Sequence, residues 1–368
     1  MALRIEQTAA TGAADQTATG GWRRQIRDDL PIFALFSLIA LISAILVARE
    51  GSAFTSSTLI ANLDLYPKAI GFALAVETVI ILSIVRPHSP LSFLSKRYTS
   101  PDMRSWIAGR MPSFMILSLF LPLFAVLKPM IPVLNPYAWD AQFIRWDAIL
   151  FGDDPWRLMQ PLLGYPIITS GLSVIYHAWF LLVFPFALLM LFSHHADRIR
   201  RRYLMAYLSV WTIVGFGLAT AFSSVGPCFL QPLTGNGHFA EQMAYLNHAN
   251  QVYPVLVLDV QKALLDIYTA EGPGHGAGIT AMPSMHVALA FLSYLAVRHV
   301  SKWAGRFFLA FFVLIWIGSV HLAYHYAVDG LVSVIAVAAI WKLTDLIFKW
   351  WDRQAVTSPA TDAIPATA

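Results

Sequence analysis

Eight apolar runs dominate this chain, near residues 30–48, 68–85, 112–131, 171–192, 204–225, 283–298, 306–322 and 327–347. Each is long enough, or nearly so, to cross a hydrocarbon layer of about 30 Å. Backbone in that layer must satisfy its own hydrogen bonds, and within a single segment only a helix does so. The expected fold is therefore all-α, a polytopic membrane bundle of about eight transmembrane helices. Composition agrees: 57% of residues are apolar and 12% charged, against about 25% charged in soluble domains, and mean hydropathy is +0.61. The net charge of +4 lies mostly in connecting segments, where it reports topology and not nucleic-acid binding. A single cysteine, Cys228, excludes an internal disulfide and a cysteine-only metal cluster.

The basic residues test the count of spans. With the N-terminus cytoplasmic and sides alternating, most Lys and Arg fall inside, leaving only Arg49, Lys68, Lys128, Arg145, Arg157 and Lys262 outside. That asymmetry is the positive-inside pattern, and a missed helix would reverse every later loop. Both termini are expected in the cytoplasm. Two long outer loops follow from this arrangement, about 132–170 and 226–282. The first carries Asp140, Arg145, Trp146, Asp147 and Arg157 and reads as an interfacial segment. The second contains an amphipathic helix around 255–267 and ends in a Gly-rich run with His275.

The chemistry concentrates between Ile279 and Asp329. This stretch opens with Pro283-Ser284-Met285-His286 and closes with His325-Tyr326-Ala327-Val328-Asp329. The helical pair between them returns the chain to the side it left, so His286, His325 and Asp329 are expected at one end of the bundle. Ionisable residues at such positions are functional candidates by default. His325 and Asp329, four apart, share a helix face. The carboxylate would accept the ring N–H, fix the tautomer and make the other nitrogen more basic. Pro283 suits a first helical turn, so the sixth helix is expected to begin there, with its free N–H groups toward the same pocket. The arrangement has the parts for phosphoester chemistry with no metal and no cofactor. His325 would attack phosphorus, Asp329 would hold it, and His286 would protonate the leaving alkoxide and then deprotonate the acceptor. Ser284 and nearby N–H groups would bind the non-bridging oxygens.

These two segments resemble the second and third signature motifs of the type 2 phosphatidic acid phosphatase (PAP2) superfamily. The wording Ala281-Met282-Pro283-Ser284-Met285-His286, and His325-Tyr326-Ala327-Val328-Asp329 running into the last helix, is similar to the branch containing inositol phosphorylceramide synthases and related bacterial proteins. The resemblance implies a six-helix catalytic core over 111–350. Residues 29–110 would then be accessory helices with a basic loop. Composition, without apolar periodicity, makes 1–28 and 351–368 the expected disordered cytoplasmic tails. The resemblance also implies a histidine nucleophile, a lipid phosphoester donor and a lipid or water acceptor, in a bilayer and without nucleic acid. Two departures stand out. Gly318-Ser319 occupies the place of the Ser-Arg that precedes the third-motif histidine. Lys128 to Asn135-Pro136 has the spacing of the first motif but lacks its arginine. Both favour the synthase-like branch. The missing cations leave Arg145, Arg157, Lys262, His275 and His321 as alternative phosphate ligands.

The functional expectation is a membrane lipid phosphotransferase with its site on the extracytoplasmic face, periplasmic in a bacterial inner membrane or lumenal in a Golgi-type one. The bacterial inner membrane is the preferred location. A lipid-phosphate phosphatase using water is the first alternative. A non-enzymatic transporter with a histidine relay is the second, against which the polar residues cluster at one end. His177 and Glu77 lie within spans and read first as hydrogen-bonding residues. Gly226-Pro227-Cys228 reads as a helix break, and the run Arg198 to Arg202 as a topology anchor. His238, His248 and His275 lack compact zinc spacing.

Overall fold

The structure is a computed structural model that describes residues 18–50, 65–192, 197–271 and 278–357. The terminal tails, in large part, and His275 lie outside the described residues.

All eight apolar runs are helical. The chain begins with α1 (Ala18–Glu50) and α2 (Leu65–Ile80), which a π turn extends through Val85. Then come α3 (Pro90–Thr99) and α4 (Pro101–Leu127), the latter prolonged by short helical turns to Leu134. Six segments are long and apolar enough to cross a membrane: Arg24–Arg49, Pro101–Leu134, Pro166–Leu191, Asp197–Ala221, Lys302–His321 and Ala327–Gln354. Among the described residues no strand occurs. The expected all-α membrane bundle is what the chain forms. Two of the eight expected spans are not among these six. One is α2 with its π turn. The other is the helix Met285–Val297, which at 1.5 Å per residue is only about 20 Å long.

The first long loop folds into α5 (Asp140–Phe151), closed by a left-handed Gly152 at φ 90°, and α6 (Pro155–Leu163). The helix α7 (Pro166–Leu191) follows. Next is α8 (Asp197–Ser209), which continues through a π stretch, Val210–Leu218, to Ala221. The second long loop folds into α9 (Pro227–Thr234), α10 (Ala240–Val252) and α11 (Val257–Glu271). The expected amphipathic helix near 255–267 is α11. Last come α12 (Met285–Val297), α13 (Lys302–His321) and α14 (Ala327–Thr357). Ser301 caps α13 by accepting the Ala304 N–H, and the Val297–Ser301 turn makes α12 and α13 an antiparallel hairpin. The start of α12, the end of α13 and the start of α14 thus share one end of the bundle.

The opposite end is held by ion pairs. Arg200 on α8 and Asp29 on α1 are fully buried and meet in a two-pronged pair at 2.7 and 2.9 Å. Ser113 of α4 donates to the same carboxylate at 2.8 Å. Arg110 and Arg200 both bind Asp197, Arg201 binds Asp352, and Arg198 binds Asp345. The arginine run read as a topology anchor is therefore also a packing device joining α1, α4, α8 and α14. Helix α1 starts at Ala18 and α14 runs to Thr357, beyond the helical limits expected from hydropathy, and these pairs lie on the added turns or at their margin. Acidic partners for the arginines lie at both margins.

Candidate active site

The site is built on the two turns that flank α12, α13 and α14. Helix α13 ends in a left-handed cap, with Ala323 at φ 61°. Tyr324 and His325 N–H groups both donate to the Ser319 carbonyl, at 3.0 and 3.1 Å. A residue in this conformation at a helix C-terminus closes the last carbonyls, and here it turns His325 back toward the bundle. One turn on, Asp329 lies fully buried in the first turn of α14. Its Oδ2 accepts the Tyr326 N–H at 3.1 Å and lies 3.1 Å from His325 Nδ1. With Nδ1–H donating to the carboxylate, Nε2 is the nitrogen with a free lone pair.

His286 faces this pair, its ring centroid 6.4 Å from that of His325. The expectation that α12 starts at Pro283 needs adjusting. Helix α12 starts at Met285, with Ser284 as its N-cap: the buried Ser284 Oγ accepts the Val287 N–H at 3.4 Å, and its carbonyl accepts Ser333 Oγ at 2.9 Å. Pro283 sits outside the helix, after a cis peptide bond. Ser284 thus stands at the expected place, with its hydroxyl engaged in capping. Among the described residues, the N–H groups of Met285 and His286 have no partner. They are the first two donors of a helix, the position where an anion is stabilised.

Helix α7 supplies an aromatic wall for His286. Tyr176 stacks on its ring at 4.3 Å and 18°, Trp179 lies at 4.4 Å, and Phe180 meets it edge-on at 6.0 Å. The Trp179 indole also donates to the His286 carbonyl at 3.0 Å. Tyr324 stacks on the far face of Tyr176 at 5.2 Å. Gly318, where the signature has serine, lies against the same ring: a Cβ there would touch Tyr176 at an ordinary 3.8 Å.

Lys128 follows the last turn of α4, and its charge acts on His286. Its methylenes pass beneath Gly278, whose φ of +72° and missing Cβ leave room for them. Among the described residues no carboxylate pairs with Lys128. Asn135, in place of the first-motif arginine, donates to the Thr220 carbonyl at 2.8 Å and so closes the end of α8. Arg145 lies on the exposed face of α5. Arg157 pairs with Asp154 and Glu241. Lys262 is exposed on α11 and lines a separate cavity. His321 is buried and shares a 2.9 Å hydrogen bond with Thr169. Thus His286, His325, Asp329 and Ser284 come together, whereas Arg145 and Lys262 make no contact with them.

Two carboxylates read as interfacial charges turn inward instead. Asp147 accepts the Ala327 and Val328 N–H groups at 2.8 and 2.9 Å, capping α14 from another helix. Asp140 accepts the Val225 and Gly226 N–H groups and the Tyr326 hydroxyl, the last at 2.8 Å. Burial, aided by the Asp329 and Asp154 charges, pushes the Asp147 carboxyl up to about 6 against the pull of its two N–H donors. The available signal was their spacing: residues seven apart lie on one helix face. Gly226 is more than a helix break. At φ 88°, a Cβ there would meet the Tyr324 carbonyl at 2.8 Å and Ala281 at 2.9 Å. The next N–H but one, that of Cys228, donates to the Ala323 carbonyl at 2.8 Å. The 224–228 segment therefore threads between the two motif turns. Burial pushes the Cys228 thiol up, away from reactivity.

The family model of the PAP2 superfamily matches residues 141–343, more than half of the chain, from the start of α5 to the middle of α14. No curated protein and no solved structure matches it. The chain belongs to the PAP2 superfamily, whose chemistry is phosphatase or phosphotransferase action on phosphoesters.

Proposed function

We propose that this PAP2 protein is a membrane lipid phosphotransferase that works through a phosphohistidine on the extracytoplasmic face. His325 Nε2 attacks phosphorus, forming an N–P bond as the P–O bond to the donor alcohol breaks. His286 gives that alkoxide its proton. In the second half, His286 takes the proton of the acceptor hydroxyl, whose oxygen displaces His325. Asp329 keeps Nδ1–H oriented in both halves. Lys128 and the N–H groups of Met285 and His286 supply positive charge for the non-bridging oxygens. The observation that carries this reading is the His325–Asp329 pair at 3.1 Å facing His286 across 6.4 Å.

Lipid substrates are supported by the setting. The wall beside His286 includes Phe180, half of whose surface is open on a membrane-spanning helix. An alcohol-bearing lipid is favoured over water as acceptor because both signature arginines are replaced, by Asn135 and Ser319.

The test uses detergent-purified protein, phosphorus-labelled lipids, and ceramide or diacylglycerol as optional acceptor. New phospholipid that depends on the acceptor is expected from the wild type. Its loss, by about a thousandfold or more, is expected in His325→Ala and His286→Ala. Free phosphate released equally without acceptor would make the protein a phosphatase. Turnover retained in His325→Ala would remove the nucleophile assignment.

A further inference from the structure

Beside the triad, helices α9, α10 and α11 line an open cavity of about 420 Å³ that the chemistry above leaves unused. Its lining includes Cys228 and Gln261, both of which hold the turn that leads into His325. Cys228 N–H binds the Ala323 carbonyl, and Gln261 Nε2 donates to the Leu322 carbonyl at 2.9 Å. The cavity thus adjoins the backbone two or three residues ahead of the nucleophile.

Its polar lining is dominated by carboxamides, several fixed at one end by backbone. Asn247 Nδ2 donates to the Met243 carbonyl at 2.8 Å, leaving its oxygen. Gln261 Oε1 is buried with no partner, on a residue only 5% exposed. Asn250 Oδ1 accepts the Val255 N–H at 2.8 Å, and Asn236 Oδ1 the His238 N–H at 3.0 Å, leaving two NH₂ groups. The free ends are therefore of both kinds, an acceptor on Asn247 and donors on Asn236 and Asn250. Neither arginine nor histidine lines the cavity, and its two charged residues, Asp259 and Lys262, are of opposite sign and three apart on α11.

A phosphate asks for donors and cations, and an ammonium asks for acceptors. A hydroxyl both donates and accepts, so a mosaic of fixed amide halves fits several hydroxyls at once. Phe239, Met243 and Leu258 add apolar wall for carbon faces. We propose that this cavity binds a neutral polyhydroxyl group, either a free polyol or the hydroxylated headgroup of a lipid. Its role as the seat of a reacting headgroup rests on the phosphotransferase reading, whereas binding itself can be measured apart from turnover.

The test places a thiol reporter in the cavity. Asn247→Cys, made in a Cys228→Ser background, is reconstituted as the full chain in phosphatidylcholine nanodiscs, and the rate of maleimide labelling is followed. Lys262→Cys serves as a second reporter, so that losing one amide does not decide the outcome. The probes are glucose and glycerol in solution, phosphatidylglycerol in the disc, and inorganic phosphate and choline as controls. Slowing by about tenfold, which nine-tenths occupancy gives, is expected with a polyol probe and not with the controls. Protection by glucose or glycerol identifies a soluble ligand. Protection by phosphatidylglycerol alone identifies a lipid headgroup. No protection of either reporter, or equal protection by phosphate, overturns the proposal. Turnover without protection would remove the cavity assignment alone, and protection in a protein that turns over no phosphoester would remove the enzymatic reading alone.

Discussion

At the scale of single residues, the backbone around His325 is held by groups outside the His286–His325–Asp329 cluster. Ala323 occupies a left-handed position that glycine normally fills, at a cost of about 1 kcal/mol. Ala323→Gly is expected to leave stability unchanged or raise it by up to about 1 kcal/mol, read from thermal melting in detergent. Gly226→Ala should do the reverse, because its Cβ would press on the Tyr324 carbonyl. A loss of about 2 kcal/mol or more, with reduced turnover, is expected. Asp329→Asn should keep the fold and lower kcat by about 10³-fold or more, since an amide does not hold the same tautomer of His325. Asp147 gives a pH signature. Its folded value near 6 lies above the ordinary carboxylate range, so its contribution to stability is fully present below about pH 4 and is lost as pH rises through 6. The wild-type melting temperature should fall across that window, and Asp147→Asn should flatten the slope. An unchanged slope in the variant would contradict the assignment.

At the scale of elements, some of this was readable in the sequence and some was not. The His286 and His325–Asp329 segments were readable because short-range spacing fixes which residues share a face, and the apolar hairpin between them brings the ends together. Asp140 and Asp147 were not. Two acids on an amphipathic outer segment look alike whether they face lipid headgroups or the start of another helix, and only long-range packing decides. Lys128 had a readable spacing, but its closeness to His286 depends on how α4 ends against the Gly278 turn. The arginine run was legible as charge and illegible as pairing, since its partners lie on α1 and α14. That pairing carries a prediction. Asp29→Ala would leave the buried Arg200 without its two-pronged partner, with only the half-exposed Asp197, shared with Arg110, beside it. A loss of about 3–5 kcal/mol is expected in chemical unfolding, with part of it recovered on adding Arg200→Met.

At the scale of the whole molecule, charged pairing at one end and the turns bearing His286 and His325 at the other give the bundle two chemically distinct ends. The topology proposed for them is open to direct measurement. Ile149 at the tip of α5 is largely exposed. In a Cys228→Ser background, Ile149→Cys should react with an impermeant maleimide on intact cells, and Lys96→Cys only after permeabilisation. The opposite labelling would invert the bundle.

The 13-residue helix that bears His286 has a further consequence. Counted from the basic turn at its far end, it covers about 20 Å of a layer about 30 Å thick. The reaction would then take place some 10 Å beneath the outer edge of the hydrocarbon layer, and deeper still below the phospholipid phosphates. A substrate must sink, or the surrounding lipid must thin, before phosphorus reaches nitrogen. Membrane thickness becomes a kinetic variable of this enzyme: turnover should fall as acyl chains lengthen from 14 to 22 carbons in otherwise matched vesicles, and insensitivity to chain length would place the histidine at the surface.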